Sequence, residues 1–174
     1  MKRLLTVALV ASVLMTAVRA DAQDGDKSKR ASPPAKVTQK IKSGATISID
    51  YSQPSVKGRT IGNPLEPVDG QLWRTGANEA TVFETDKDVT VGGKKLSAGK
   101  YALFTLFNGK DVTVFFGKNW HRWGIPIEKK PDDVSIQTKY TTEATPSEKM
   151  TFKISPAGVV TLLWGDRKVE FTVK

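Results

Sequence analysis

Cysteine is absent from this sequence of 174 residues, and histidine occurs once, as His121. Without cysteine the chain has no disulfide bonds, thiolate metal sites or thiol nucleophiles. Zinc usually requires three or four clustered ligands, so a lone imidazole does not indicate a metal centre. No nucleophile-elbow motif accompanies His121 to suggest a Ser-His-Asp triad. We therefore expect no metal or other cofactor and interpret His121 as an exposed loop residue.

Long hydrophobic runs are also missing, apart from one near the N-terminus. Residues 4–18 are apolar or small, and this run of fifteen is shorter than the roughly 20 residues of a membrane-spanning helix. The basic pair Lys2-Arg3 precedes the run, and the small-x-small pattern Ala20-Asp21-Ala22 follows it. These features predict a signal peptide over residues 1–22, cleaved before Gln23, with cleavage after Ala20 as the alternative. We expect a periplasmic or extracellular protein without a transmembrane anchor.

Acidic residues are fewer than basic residues in this sequence. The formal charge is +9, and removal of residues 1–22, which carry three cations and one anion, leaves +7. Part of this excess lies in residues 23–34, which contain no aromatic or β-branched residue and are typical of a flexible linker. The excess favours weak adhesion to anionic envelope polymers, or serves solubility alone. Specific nucleic-acid binding is not expected, because the chain has no RNA-binding aromatic motif, zinc finger or basic helix.

Helical periodicity is lacking beyond the N-terminal run, and alternation of apolar with polar residues takes its place. Residues 37–41 and 45–51 alternate on either side of Ser43-Gly44, which predicts a first hairpin. Asn108-Gly109 is the strongest hairpin signal in the chain. Further strands are predicted at residues 72–73, 81–85, 89–91, 100–107, 112–117, 134–141, 149–154, 159–164 and 169–173.

This set of short strands predicts the fold class. We expect an all-β protein whose residues 35–174 form one domain, a two-sheet antiparallel β-sandwich of about ten strands, with jelly-roll connections as one possible wiring. About 140 residues bury enough apolar surface to fold without disulfides. We expect a monomer.

A polar turn between residues 73 and 81 provides the candidate site. Arg74, Asn78 and Glu79 lie in this turn. Asp50 precedes the long loop of residues 53–70, and Arg59 lies within that loop. An arginine beside carboxylates can bind a carboxylate or sugar hydroxyls through its planar donors. The alternative is structural, with ion pairs Arg74–Glu79 and Arg59–Asp50 holding the loops. In either case we expect Arg74 and Glu79 to be in contact.

Tryptophan offers a second kind of site, since indole faces suit the apolar faces of sugar rings. Trp120 and Trp123 fall in a predicted loop and are candidate stacking residues. Trp164 alternates with Leu162 and is predicted to be buried.

Several segments together resemble the domain of unknown function 2911 family of exported bacterial proteins. The most specific is Trp73-Arg74-Thr75-Gly76-Ala77-Asn78-Glu79-Ala80. The resemblance extends over nearly all of the mature chain through residues 49–59 (IDYSQPSVKGR), 91–105 (VGGKKLSAGKYALFT), Trp123-Gly124 and the closing Leu163-Trp164-Gly165. The family implies a β-sandwich and no established activity.

Three functions from different classes remain open. We favour a binding or envelope-associated module for a small anionic or polar ligand, or a glycan, over an enzyme. A metal-independent, carboxylate-based hydrolase built on Glu79, Asp50 and His121 is the second hypothesis. A structural protein that interacts through an exposed sheet edge is the third.

Overall fold

The structure, a computed structural model, describes residues 26–121 and 134–174. These ranges contain a short 3₁₀ turn and ten β-strands, but no α-helix. The elements are the 3₁₀ turn Lys27–Lys29, β1 (Pro34–Lys40), β2 (Thr46–Ser52), β3 (Leu72–Trp73), β4 (Thr81–Thr85), β5 (Val89–Val91), β6 (Lys94–Leu96), β7 (Gly99–Asn108), β8 (Asp111–Gly117), β9 (Val134–Ile154) and β10 (Val159–Thr172). None of the described segments is a helix of the length and hydrophobicity needed to cross a membrane. The predicted signal peptide and Trp123 lie outside the described residues.

One curled antiparallel sheet dominates the fold. Its strand order is β1-β2-β4-β7-β8-β9-β10, with β3 paired to β7, and β5 and β6 form a separate hairpin. The far half of β9 returns towards the start of the chain, where Met150 N donates to Pro54 O (3.0 Å) and Ser55 bridges Lys149. The all-β antiparallel class is thus confirmed. The predicted division into two sheets is not confirmed, because strand pairing continues unbroken from β1 to β10.

The two hairpins that were predicted from their turn residues, β1–β2 and β7–β8, are confirmed. β1 pairs with β2 in the register Val37↔Ile49. β7 pairs with β8 up to Asn108↔Asp111, and the turn residue Gly109 has a φ of 58°, a conformation that glycine adopts without a steric cost.

Two predicted breaks are wrong, since β9 and β10 each run through a segment expected to be a loop. The register passes from Leu163↔Thr151 to Gly165↔Ser147, and β9 therefore carries extra residues opposite Gly165. Such a bulge lets a strand bend without ending, and it also tolerates a proline, here Pro146 of β9. Gly165 has a φ of 55°, and a Cβ at this position would clash with Ile61 of the long loop.

The core lies mainly on the inner face of the curl. Side chains of successive residues point to opposite faces of a strand, so Leu103 joins the main core while Phe104 packs on the outer face. Phe104 stacks on Phe115 there, with ring centroids 5.3 Å apart. Both faces of β7 are therefore covered, as the uninterrupted apolar run in its sequence predicts.

Candidate functional site

The turn between β3 and β4 is held by buried hydroxyl groups. Thr75 is fully buried, and its Oγ1 lies 3.2 Å from Thr105 Oγ1 and donates to Trp73 O (3.3 Å). Thr81 Oγ1 donates to Thr75 O (2.7 Å). Thr75 and Asn78 have φ values of 55° and 56°, a left-handed conformation that is costly for a β-branched residue such as Thr75. The hydroxyl bonds offset this cost and fix the turn.

Position 76 requires glycine because a larger side chain has no room there. A Cβ there would lie 2.9 Å from Thr81 Oγ1 and 3.2 Å from Ser52 O. Trp73 Nε1 donates to Gly76 O (3.1 Å), and Ala77 N donates to Ser52 O (3.3 Å). The turn is therefore packed directly against the end of β2.

This rigid turn sends its two charged side chains into different cavities. Arg74 lines one cavity with Arg59, and Glu79 lines another with Asp50. The expected ion pairs Arg74–Glu79 and Arg59–Asp50 are consequently not formed. Of the five residues predicted as one cluster, Arg59 and Arg74 line one cavity and Asp50 and Glu79 line the other, while Asn78 belongs to the turn itself.

We call the first cavity the arginine cleft. It has a volume of about 180 Å³ and is lined by Ser32, Pro54, Arg59, Leu65, Glu66, Trp73, Arg74, Gly76, Ala77 and Trp164. Two donors of Arg59 bind its own loop, Nε to Val56 O (3.0 Å) and Nη2 to Ser55 O (2.6 Å). These bonds hold its guanidinium at the cleft.

Arg74 is the least satisfied group in the cleft. Its side chain is 16% exposed, and its Nη1 lies 3.7 Å from Glu66 Oε2, a long distance for an ion pair. Its Nε is buried without a hydrogen-bond partner among the described residues. An unpaired buried donor costs about 1–3 kcal/mol, so an acceptor brought to Arg74 would recover part of that free energy.

The walls of the arginine cleft combine polar and apolar surface. Trp73 and Trp164 are both 2% exposed, and Trp164 Nε1 donates to Glu66 O (2.8 Å), which anchors the loop that carries Glu66. Leu65 and Pro54 complete the apolar surface. The cleft can accept a small molecule with one anionic group and an apolar body.

The second cavity, the strap cavity, lies under the N-terminal segment. It is lined by Lys27, Arg30, Pro34, Asp50, Tyr51, Ser52, Glu79, Ala80 and Val82. Glu79 accepts hydrogen bonds from Arg30 Nη1 on both carboxylate oxygens (2.9 Å each), and Lys27 Nζ lies 3.4 Å away. The partner of Glu79 is thus Arg30, 49 residues earlier, and not Arg74.

Several effects act on the pKa of Glu79. Partial burial raises it, but the Arg30 hydrogen bond, a backbone hydrogen bond and the charges of Arg30 and Lys27 together outweigh burial. The net effect holds the pKa below its ordinary value, so Glu79 is an ionised anchor at neutral pH. A general acid needs the opposite shift.

Asp50 contributes an ordinary surface pair beside this cavity. Its carboxylate accepts from Lys36 Nζ of the neighbouring strand β1 at 2.9 Å, and both side chains are about half exposed. Asn78 has a connecting role, because its Nδ2 donates to Ser32 O (3.0 Å). Ser32 in turn lines the arginine cleft, so the N-terminal segment borders both cavities.

Trp120 lies apart from both cavities. It is 37% exposed, and Lys100 Nζ lies 4.9 Å from the centroid of its ring. The His121 ring contacts the Trp120 ring edge-on at 5.4 Å. Trp120 is thus exposed, as a stacking residue must be, while Lys100 occupies one region of its indole surface.

Sequence reasoning missed Arg30, Ser32 and Glu66. Within the segment 26–33, Asp26 caps the 3₁₀ turn through Ser28 and Pro33 O accepts from Gln53 N (2.8 Å). The only local signal was the sequence Asp26-Lys27-Ser28, in which an aspartate can accept from the backbone N–H two residues on.

These observations define an antiparallel β-protein with two small polar cavities on either side of one rigid turn. No group of three or more potential metal ligands occurs in the part of the chain that the structure describes. The chain belongs to the family described as Protein of unknown function (DUF2911), whose sequence model matches residues 32–173. No curated protein and no solved structure gives a significant match.

Proposed function

We propose that the protein is an exported binding module that holds a small monocarboxylate in the arginine cleft. The observation that carries this proposal is the buried Nε of Arg74, which has no partner among the described residues and belongs to a side chain that lines the arginine cleft. Buried donors are nearly always satisfied in native proteins, and an unsatisfied one at a cavity indicates a missing acceptor.

The charge of the arginine cleft favours a single negative charge on the ligand. Arg59 and Arg74 contribute two positive charges and Glu66 one negative charge, and the other lining residues are uncharged. The planar guanidinium also matches the geometry of a carboxylate. The apolar body of such a ligand would lie against the half-buried Leu65 and Ala77, since ligand sites combine apolar walls with a few polar groups.

The experiment is a thermal-shift screen of the mature protein with benzoate, butyrate and other small carboxylates. A ligand at one hundred times its Kd stabilises the folded state by about 2.7 kcal/mol, which is several degrees in Tm for a domain of this size. We expect this shift in the wild type and its loss in Arg74→Met.

Arg167→Met is the matched control. Arg167 also has a buried Nη1 without a partner among the described residues, but it does not line the cleft and stacks over Phe107 and Tyr140. The Tm shift with carboxylate should persist in this variant. An equal shift in the wild type and in Arg74→Met would contradict the proposal.

A carboxylate-based hydrolase is the second candidate, because Asp50 and Glu79 line the same cavity. The lowered pKa of Glu79 weighs against this function, since a protonated acid is needed. Hydrolysis of a panel of glycosides and esters that is lost in Glu79→Gln would favour the hydrolase over the binding module.

A further inference from the structure

We propose that residues 26–33, the strap, gate the arginine cleft and are latched in the closed position by Glu79. This inference rests on the proposed function, because a gate needs a bound ligand. The strap is a wall of both cavities: Ser32 lines the arginine cleft, and Lys27 and Arg30 line the strap cavity. When the strap leaves the sheet, both cavities lose one side.

The latch consists of two polar contacts made by adjacent residues of the rigid turn. Glu79 accepts both Arg30 hydrogen bonds, and Asn78 donates to Ser32 O. The groups facing Glu79 are Lys27 and Arg30 from the strap and Asp50 from β2, whose carboxylate is paired with Lys36 of β1. The attraction between Glu79 and the strap therefore outweighs the repulsion from Asp50.

The strap is suited to opening because none of its residues is buried. Its 3₁₀ turn contains no buried residue, and Asp26, Ser28 and Lys29 are exposed. Segments with few buried contacts open at a low cost in free energy compared with global unfolding. At the last residue of the strap, Gln53 N donates to Pro33 O, and β1 begins at Pro34, which provides a fixed hinge.

Cleavage after Arg30 by an arginine-specific protease, followed by mass spectrometry, reports strap opening without any ligand. Glu79→Gln keeps the shape of the side chain and removes its charge, and we expect cleavage at least tenfold faster than in the wild type. Asn78→Gly keeps the left-handed backbone and removes the bond to Ser32, so it should also accelerate cleavage. Asp111→Asn, which breaks the exposed Lys139–Asp111 pair, is the matched control and should not change the rate.

The gate is tested with benzoate, by stopped-flow measurement of tryptophan fluorescence. We expect Glu79→Gln to raise the association and dissociation rate constants together. Equal cleavage rates in the wild type, Glu79→Gln and Asn78→Gly would overturn the latch, even if benzoate binds. Faster cleavage with unchanged benzoate kinetics would overturn the gate. If benzoate does not bind the wild type, the gate is overturned and the proposed function loses support, whereas the cleavage rates still test the latch.

Discussion

The hydroxyl pair Thr75–Thr105 beneath the turn gives the sharpest test of the fold around the site. We consider Thr75→Val, which keeps the β-branched shape and hence the backbone strain at a φ of 55°, while the hydroxyl is lost. Thr75 is 0% exposed and Thr105 2% exposed, so water does not replace the missing partner. Leaving a buried polar group unpaired costs about 1–3 kcal/mol, and we expect the free energy of unfolding to fall by this amount.

The assay is urea denaturation followed by tryptophan fluorescence, on both single variants and on Thr75→Val/Thr105→Val. The double variant removes both hydroxyls of the pair, so its loss should be smaller than the sum of the single losses by about 0.5–2 kcal/mol. Thr113→Val is the control, because its hydroxyl bonds Gln137 at the surface (3.0 Å), and we expect a change within about 0.5 kcal/mol. Single losses that simply add in the double variant would refute a buried coupled pair.

Three further predictions concern the bulge and the two carboxylates. Gly165→Ala should destabilise the protein by about 1–3 kcal/mol, since the new Cβ clashes with Ile61. In an Ile61→Ala background the same substitution should cost less, as measured by urea denaturation of the double variant and of Ile61→Ala alone. Glu79→Gln should lower Tm most at pH 6–8. Because the pKa of Glu79 is lowered in the folded state, the stabilisation by its carboxylate is complete above the ordinary pKa of 4.5 and disappears as the pH falls further. A Tm difference from the wild type that grows in acid would contradict this prediction. Asp50→Asn should change the free energy of unfolding by less than about 1 kcal/mol in urea, because its pair with Lys36 is exposed, and a loss of several kcal/mol would show that this pair is structural.

Local patterns in the sequence predicted the strands of the fold well. Alternation of apolar with polar residues predicted β4 and the β1–β2 hairpin. Consecutive apolar residues predicted that β7 is covered on both faces. These features depend on neighbouring residues, which a single sequence contains. The breaks predicted within β9 and β10 were wrong because turn-like residues such as Gly165 also form bulges, and only the partner strand decides which occurs.

The contact expected between Arg74 and Glu79 is wrong. Arg74 and Glu79 both line cavities, yet the turn points them into different ones. Arg30 reaches Glu79 from 49 residues away, and Glu66 approaches Arg74 from the long loop. Such long-range partners depend on tertiary packing, for which charge and spacing within a segment carry no signal.

The most direct test of carboxylate binding in the arginine cleft is a titration of ¹⁵N-labelled protein comprising residues 23–174 with benzoate, observed at the tryptophan indole N–H signals. Trp73 and Trp164 line the cleft, whereas exposed Trp120 lies outside it and serves as an internal control. We predict saturable shifts of the Trp73 and Trp164 signals with no shift of the Trp120 signal. A shift confined to Trp120, or no shift of the cleft indoles at saturating benzoate, would contradict the proposed site.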